Sequence, residues 1–317
     1  MRMKLTMYSA ENLTVEQCFQ RYLLAVTGQG VAEKTLQTYH GHFRSLSKYL
    51  DTTIPISQLT KTNVDMAVAG MRAKNLSINS ISSYIRTFRS FLNWCRTEGY
   101  CGLSIPAIKP RRTVKQTYTD EELERLLEKP DSNCSFCEYR SWVIVQFLLN
   151  SGCRAATVRN IQIQDVNLDG RQVTFRHTKT GIIQVIPLGT TMTQHLRAYM
   201  RIRGGEPSDY LFCSEHGEML TESALRLSIV RYNTQRGVSH TSIHMFRHTF
   251  ARKYLIDCGG NAFTLQKLLG HSTLEMTKRY CAVFNTDITN GFDNISPLEQ
   301  LQSKRKARID APKGRRM

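Results

Sequence analysis

Between residues 241 and 280 the chain reads TSIHMFRHTFARKYLIDCGGNAFTLQKLLGHSTLEMTKRY, which holds His244, Arg247, His271 and Tyr280. Cleaving a phosphodiester needs positive charge on the non-bridging oxygens, a nucleophile, and a proton donor for the leaving oxygen. Arginine suits the first task, because its planar fork matches phosphate with paired bonds and stays charged. Two arginines from separate parts of the chain could clamp one phosphate. Tyr280 suits the second task. A free phenol has a pKa of about 10, so nearby cations or a histidine base must help remove its proton. A phosphotyrosine formed in this way conserves the bond energy, so rejoining needs neither ATP nor a metal.

Taken singly, these residues have plainer readings. Tyr280 alone is an ordinary core or surface tyrosine, and His271 after Leu-Leu-Gly is a helix cap. Arg154 is a solvated residue at a helix start, and Lys179 a routine turn lysine. His240, His244 and His248 fall at i, i+4 and i+8 and invite a zinc site. However, His240 precedes the Thr241 cap and no acidic or cysteine ligand stands nearby, so no metal is expected. Order and spacing together carry more weight: Arg154 in SGCR, Lys179 in HTKTG, HMFRHTFA at 244–251, LLGHS at 268–272, then Tyr280.

This series resembles the signature of the tyrosine recombinases, the phage-integrase and Xer-type enzymes that cut and rejoin DNA. The resemblance spans about residues 14–285. It implies that Arg154 and Arg247 clamp the scissile phosphate and that Lys179 protonates the leaving 5′-hydroxyl. His244 and His271 complete the site, and Tyr280 is the nucleophile. It further implies no cofactor, double-stranded DNA as partner, a homo-tetramer on two duplexes, and a place for accessory DNA-bending proteins. The segment at 286–300 would pack against a neighbouring protomer, and the two domains would clamp opposite faces of the duplex. One position departs. Where the family usually carries an acidic residue three after the first arginine, this chain has Thr157, which cannot supply a charge; Asp165 is the candidate replacement brace.

The elements that must position these residues are legible from periodicity. Helices are expected from Thr14 to the Gly28–Gly30 stop, over 35–50, from Thr62 with Asp65 three residues on, and from Ile78 to Cys95. Four amphipathic helices make a compact all-α unit over 14–99, similar to the family's core-binding, SAM-like domain. Their outer faces carry Lys34, Arg44, Lys48, Lys74, Arg86, Arg89 and Arg96. Of these, Arg44, Lys48, Arg86 and Arg89, with Lys109, Arg111 and Arg112 of the next segment, are the candidate DNA-phosphate contacts.

Residues 100–117 hold two prolines, a glycine and the run KPRRTVK, and read as a basic linker. A capping box at Thr119-x-x-Glu122 then opens a mixed, mostly helical catalytic unit over 118–285. Its expected elements are a buried helix over 139–150 and two strands, 172–176 and 182–186, joined by a turn with Lys179 at its tip. Helices follow at 191–203, 221–235, 241–258, 262–268 and 274–280. The fold class is therefore mainly α with a small β-sheet. Residues 1–13 and 286–317 read as tails, the latter ending in a basic run.

Composition agrees. The chain has 317 residues, 43 Lys+Arg against 26 Asp+Glu, and a net charge of +17, which favours a polyanionic partner. No run approaches the roughly 20 apolar residues of a membrane span, and no secretory signal pattern opens the chain. Nine cysteines, scattered singly apart from Cys134-x-x-Cys137, fit reduced thiols in a cytosol rather than a disulfide framework. The core-binding unit begins almost at once, which leaves no separate arm-binding domain and resembles a simple integrase or a Xer-like resolvase. The basic tail and Thr157 favour a mobile element. A type IB topoisomerase and a catalytically inactive DNA-binding relative are the rival readings.

Overall fold

The computed structural model describes residues 13–111, 115–178, 181–274 and 277. Arg112, Lys179, Tyr280, the two tails and nearly all of the helix expected at 274–280 lie outside the described residues. The chain divides after Thr113 into two compact units.

The first unit is helical. Helix α1 (Val15–Gly28) starts at Thr14, whose hydroxyl accepts from the Gln17 backbone while the Gln17 side chain returns to Thr14. Helix α2 (Glu33–Leu46) follows, then α3 (Lys61–Ala73) and α4 (Ile78–Thr97). Two expected boundaries move. The third helix opens two residues earlier than Thr62 suggests, because Thr60 and Asn63 form its capping box, and Asp65 instead pairs with Lys61 at 2.8 Å. The second stops at Leu46, although Leu50 stays buried in the turn beyond it.

The apolar stripes meet in a core where Phe19 stacks on Phe43 at 3.8 Å and meets Phe91 edge-on at 5.3 Å. Such ring pairs add about 0.5–1.5 kcal/mol beyond their buried area. The segment after α4 returns along it. Ile105 is buried, Arg89 Nε donates to the Ile105 carbonyl at 2.9 Å, and Ser82 Oγ donates to the Ile108 carbonyl at 2.6 Å.

In the second unit, α5 (Asp120–Leu127) starts at the Thr119–Glu122 capping box that the sequence predicts, with Asp120, Glu121 and Glu122 facing the positive end of the helix dipole. Helix α6 (Phe136–Ser151) is apolar on every side, as a helix surrounded by others must be. Trp142, Val143, Ile144, Val145, Phe147 and Leu148 are all buried. Against it pack α8 (Thr190–Arg203), α9 (Glu222–Gln235) and α10 (Ile243–Leu255), while α7 (Ala155–Asn160) lies on α9 and α11 (Ala262–Leu269) on α10.

An antiparallel sheet of β1 (Val166–Asn167), β2 (Gln172–Phe175) and β3 (Gln184–Pro187) pairs Val173 with Ile186 and Phe175 with Gln184. Neither α7 nor β1 is expected from periodicity; six and two residues are too short to show any. Strand β3 begins two residues later than expected, leaving Ile182 and Ile183 outside the ladder, and α10 stops at Leu255, short of Cys258. No described helix is long and apolar enough to cross a membrane.

Candidate active site

Helix α10 places Arg247 inward and His244 at its solvent edge. Arg247 is only 5% exposed. Its Nη1 donates to the Gly152 carbonyl at 2.8 Å, and its Nη2 donates to the Leu269 carbonyl and to His271 Nε2, each at 2.8 Å. Gly152 caps α6 and Leu269 ends α11, so the guanidinium sits at the C-terminal ends of two helices. There the aligned peptide dipoles favour a cation. Both ends turn through a left-handed glycine, Gly152 at φ 58° and Gly270 at φ 60°, which aims the last carbonyls inward.

Those contacts settle the form of His271. A guanidinium only donates, so Nε2 must accept and the ring proton lies on Nδ1. Nδ1 faces Thr277 Oγ1 at 2.9 Å. The backbone of His271 is held at both ends by Gln266, whose carbonyl accepts at 3.1 Å and whose Nε2 donates at 3.3 Å. The hairpin base is tied to the same turn, since Gln184 Nε2 donates to the Lys267 carbonyl at 2.7 Å. Thr178 Oγ1 donates to the Ile182 carbonyl at 2.7 Å and Gly181 has φ 72°; Lys179, expected between them, lies outside the described residues.

Arg154 directly precedes α7, two residues beyond Gly152, and is part-exposed. His244 feels the charges of Arg247, Arg154 and Lys115 together, which places all four in one locale. Its side chain reaches solvent, yet lost hydration on its inner side is the largest cause holding its pKa below the usual value. The three cations add to this and Glu222 opposes it. His248, on the same helix, is pushed down to about 4 by burial, then by Lys115, His244 and Arg247. Burial and the same cations therefore bias both imidazoles towards the uncharged form.

The sign of the His248 effect is testable. The unfolded chain takes up the proton near pH 6.5 and the folded chain near 4, so stability is constant above pH 6.5. It falls as pH drops through that window, by at most about 3 kcal/mol. Urea titrations between pH 4 and 7 should show the decline in the wild type and a shallower one in His248→Asn; parallel curves would refute the assignment.

Helix α10 is anchored by Tyr118. Its N–H donates to Thr249 Oγ1 at 3.0 Å, its hydroxyl accepts from Asn233 at 3.1 Å, and its ring lies 4.5 Å from that of Phe246. Burial pushes its phenol up to about 12, so it stays protonated. His240 turns away to Glu122, at 3.2 Å. Asp165 does not serve as the brace for Arg154: its carboxylate is taken by Arg176 at 2.6 Å and by the Gln162 backbone at 2.9 Å. Thr157 itself is buried in α7. Cys137 Sγ donates to Glu215, and burial raises the thiol pKa of both Cys134 and Cys137.

In the first unit Arg44, Lys48, Arg86, Lys109 and Arg111 are exposed, as phosphate contacts require. Arg89 differs, being partly buried and engaged with Ile105. Three site features carried no local signal: Gly152 as an acceptor, Lys115 among the linker charges, and the hydroxyl of Thr277.

Residues 116–286 match the Phage integrase family, and residues 17–99 match Phage integrase, N-terminal SAM-like domain. The chain belongs to the phage integrase family and is a site-specific recombinase of the tyrosine class. Similar proteins include tyrosine recombinase XerD of Staphylococcus haemolyticus, 26% identical over 296 residues that cover 89% of this chain and 99% of that protein. Tyrosine recombinase XerA of Pyrococcus furiosus is 26% identical over 281 residues, covering 86% and 92%. Among solved structures, a lambda integrase dimer bound to a COC′ core site shares the fold with a TM-score of 0.71. It is 20% identical and covers 84% of this chain and 95% of that one.

Proposed function

We propose that the chain cleaves and rejoins double-stranded DNA through a 3′-phosphotyrosyl intermediate, for the movement of a mobile genetic element. The observation that carries this reading is the seat of Arg247, a buried guanidinium bonded to His271, whose charge together with that of Arg154 reaches His244. In the reaction, Tyr280 gives its proton to a histidine base of the site, its oxygen attacks phosphorus, and the bond to the 5′ oxygen breaks. Lys179 gives that oxygen a proton, while Arg154 and Arg247 hold the non-bridging oxygens. The return step reverses each change, with a 5′-hydroxyl displacing Tyr280. Assembly as a tetramer on two duplexes belongs to the same reading. An open groove of 490 Å³ between β3 and α11, rimmed by exposed Ile182, Ile183, Val185 and Phe263, suits a protein contact.

The test uses a nicked suicide substrate bearing the element's own junction, without metal. Wild type should give a covalent protein–DNA band that survives denaturation, and Tyr280→Phe should give none. DNA binding without an adduct in either protein would replace this reading with that of an inactive DNA-binding relative.

A second biological role, Xer-like resolution of chromosomes or plasmids, is favoured by relatives of that name matched along nearly their whole length. Sequencing the DNA attached to trapped covalent complexes in the native cell separates the two. Attachment at the ends of a movable segment supports integration and excision, whereas a single recurring chromosomal or plasmid site supports resolution.

A further inference from the structure

We propose that Thr277 is a positioning residue of this site, whose hydroxyl holds the orientation of the His271 imidazole and partners Nδ1 in either tautomer. The inference rests on the reading above for the role of His271 itself. Thr277 is wholly buried and its Oγ1 lies 2.9 Å from His271 Nδ1. The opposite nitrogen, Nε2, is held by Arg247. With the backbone of His271 fixed by Gln266, what remains free is rotation of the ring, and these two contacts determine it.

A hydroxyl is the one small side chain that suits both states the site must pass through. In the DNA-free structure Nε2 accepts from Arg247, so Nδ1 carries the proton and Thr277 accepts it. When a phosphate enters and takes the Arg247 N–H, Nε2 must become a donor to a phosphate oxygen. The neutral ring then carries its proton on Nε2, and Nδ1 becomes an acceptor. Thr277 answers by rotating its hydroxyl to donate, since a hydroxyl offers one proton and two lone pairs. An amide or carboxylate would favour one direction, and an alkyl group neither. Thr277 also stands three residues before Tyr280 in the sequence.

Two variants and two readouts test this. Thr277→Val keeps shape and burial but removes the hydroxyl; Thr277→Ser restores it. In protein with ¹⁵N-labelled histidine, free of DNA, wild-type His271 should show a protonated Nδ1. Its signals are assigned by their loss in His271→Gln. In Thr277→Val Arg247 still donates to Nε2, so the tautomer should hold while the Nδ1 signal shifts with the loss of its acceptor, and Thr277→Ser should return it. On the suicide substrate, Thr277→Val should slow single-turnover cleavage by about 10- to 100-fold, the size such outer partners have at other histidine sites. DNA affinity should stay within about twofold, and Thr277→Ser should recover to within about threefold.

Unchanged nitrogen signals in Thr277→Val overturn the proposal. So does cleavage at the wild-type rate, or a serine variant no better than the valine one, because a packing role alone would give those results. A wild type that forms no adduct overturns the chemical reading instead, and the nitrogen shifts still decide whether Thr277 holds the ring.

Discussion

Arg247→Lys is expected to lower the single-turnover cleavage rate by about 10³-fold or more, the scale on which arginines that stabilise a transferring phosphoryl group act. Lysine keeps the charge but not the fork. Arg247 spans the Gly152 carbonyl, the Leu269 carbonyl and His271 Nε2 at once, each at 2.8 Å. An ammonium on a flexible stem cannot reach three acceptors on different sides and still present a face to phosphate. Buried carbonyls would lose their donor at a cost of about 1–3 kcal/mol, so the melting temperature should fall as well. Cleavage is therefore measured well below the melting temperature, with DNA affinity measured in parallel. A loss smaller than tenfold with binding intact would mean that Arg247 supplies charge alone, and the bidentate clamp would have to be abandoned.

How far this site was legible in the sequence depends on which atoms do the holding. Arg247 and His271 announce themselves through side chains in local patterns. Two of the acceptors that restrain Arg247 before any phosphate arrives are backbone carbonyls, and a carbonyl has no residue-type signature. Lys115 sits in the run KPRRTVK, where it reads as one more linker charge, yet its field reaches His244 and His248.

The same division runs through the fold. Thr119-x-x-Glu122 was readable because both partners of the capping box lie within one turn. The start of α3 was misplaced because Asn63 serves Thr60 in the same way, and asparagine is a less obvious partner than glutamate. The apolar run of α6 marked a buried helix, but six residues of α7 and two of β1 are fixed by what they pack against rather than by their own period. Asp165 was a reasonable brace from its place in the sequence; the fold gives it to Arg176 because β2 leads that arginine back across it.

Gly152 shows the limit most sharply, and it supports the second large prediction. Sequence marks it as a helix stop, and the structure adds a reason that lies in other elements. At φ 58° an L side chain is strained, and a Cβ built there would lie 2.4 Å from Phe250 Cδ1 and 2.8 Å from Leu269 Cδ2. Gly152→Ala therefore combines a left-handed backbone cost of about 1–2 kcal/mol with an overpacking cost of about 1–3 kcal/mol. Phe250 belongs to α10 and Leu269 precedes the His271 turn, so relieving the clash moves both walls of the Arg247 seat. The expected result is a loss of about 2–5 kcal/mol in urea unfolding, with cleavage falling further than the unfolded fraction explains. Gly259 provides the control. Its φ is 60°, but nothing lies within 4 Å of its added Cβ, so Gly259→Ala should show the backbone cost alone and near-normal cleavage. If the two variants behaved alike, close packing at the end of α6 would not be what the site requires, and glycine there would be only a way to stop a helix.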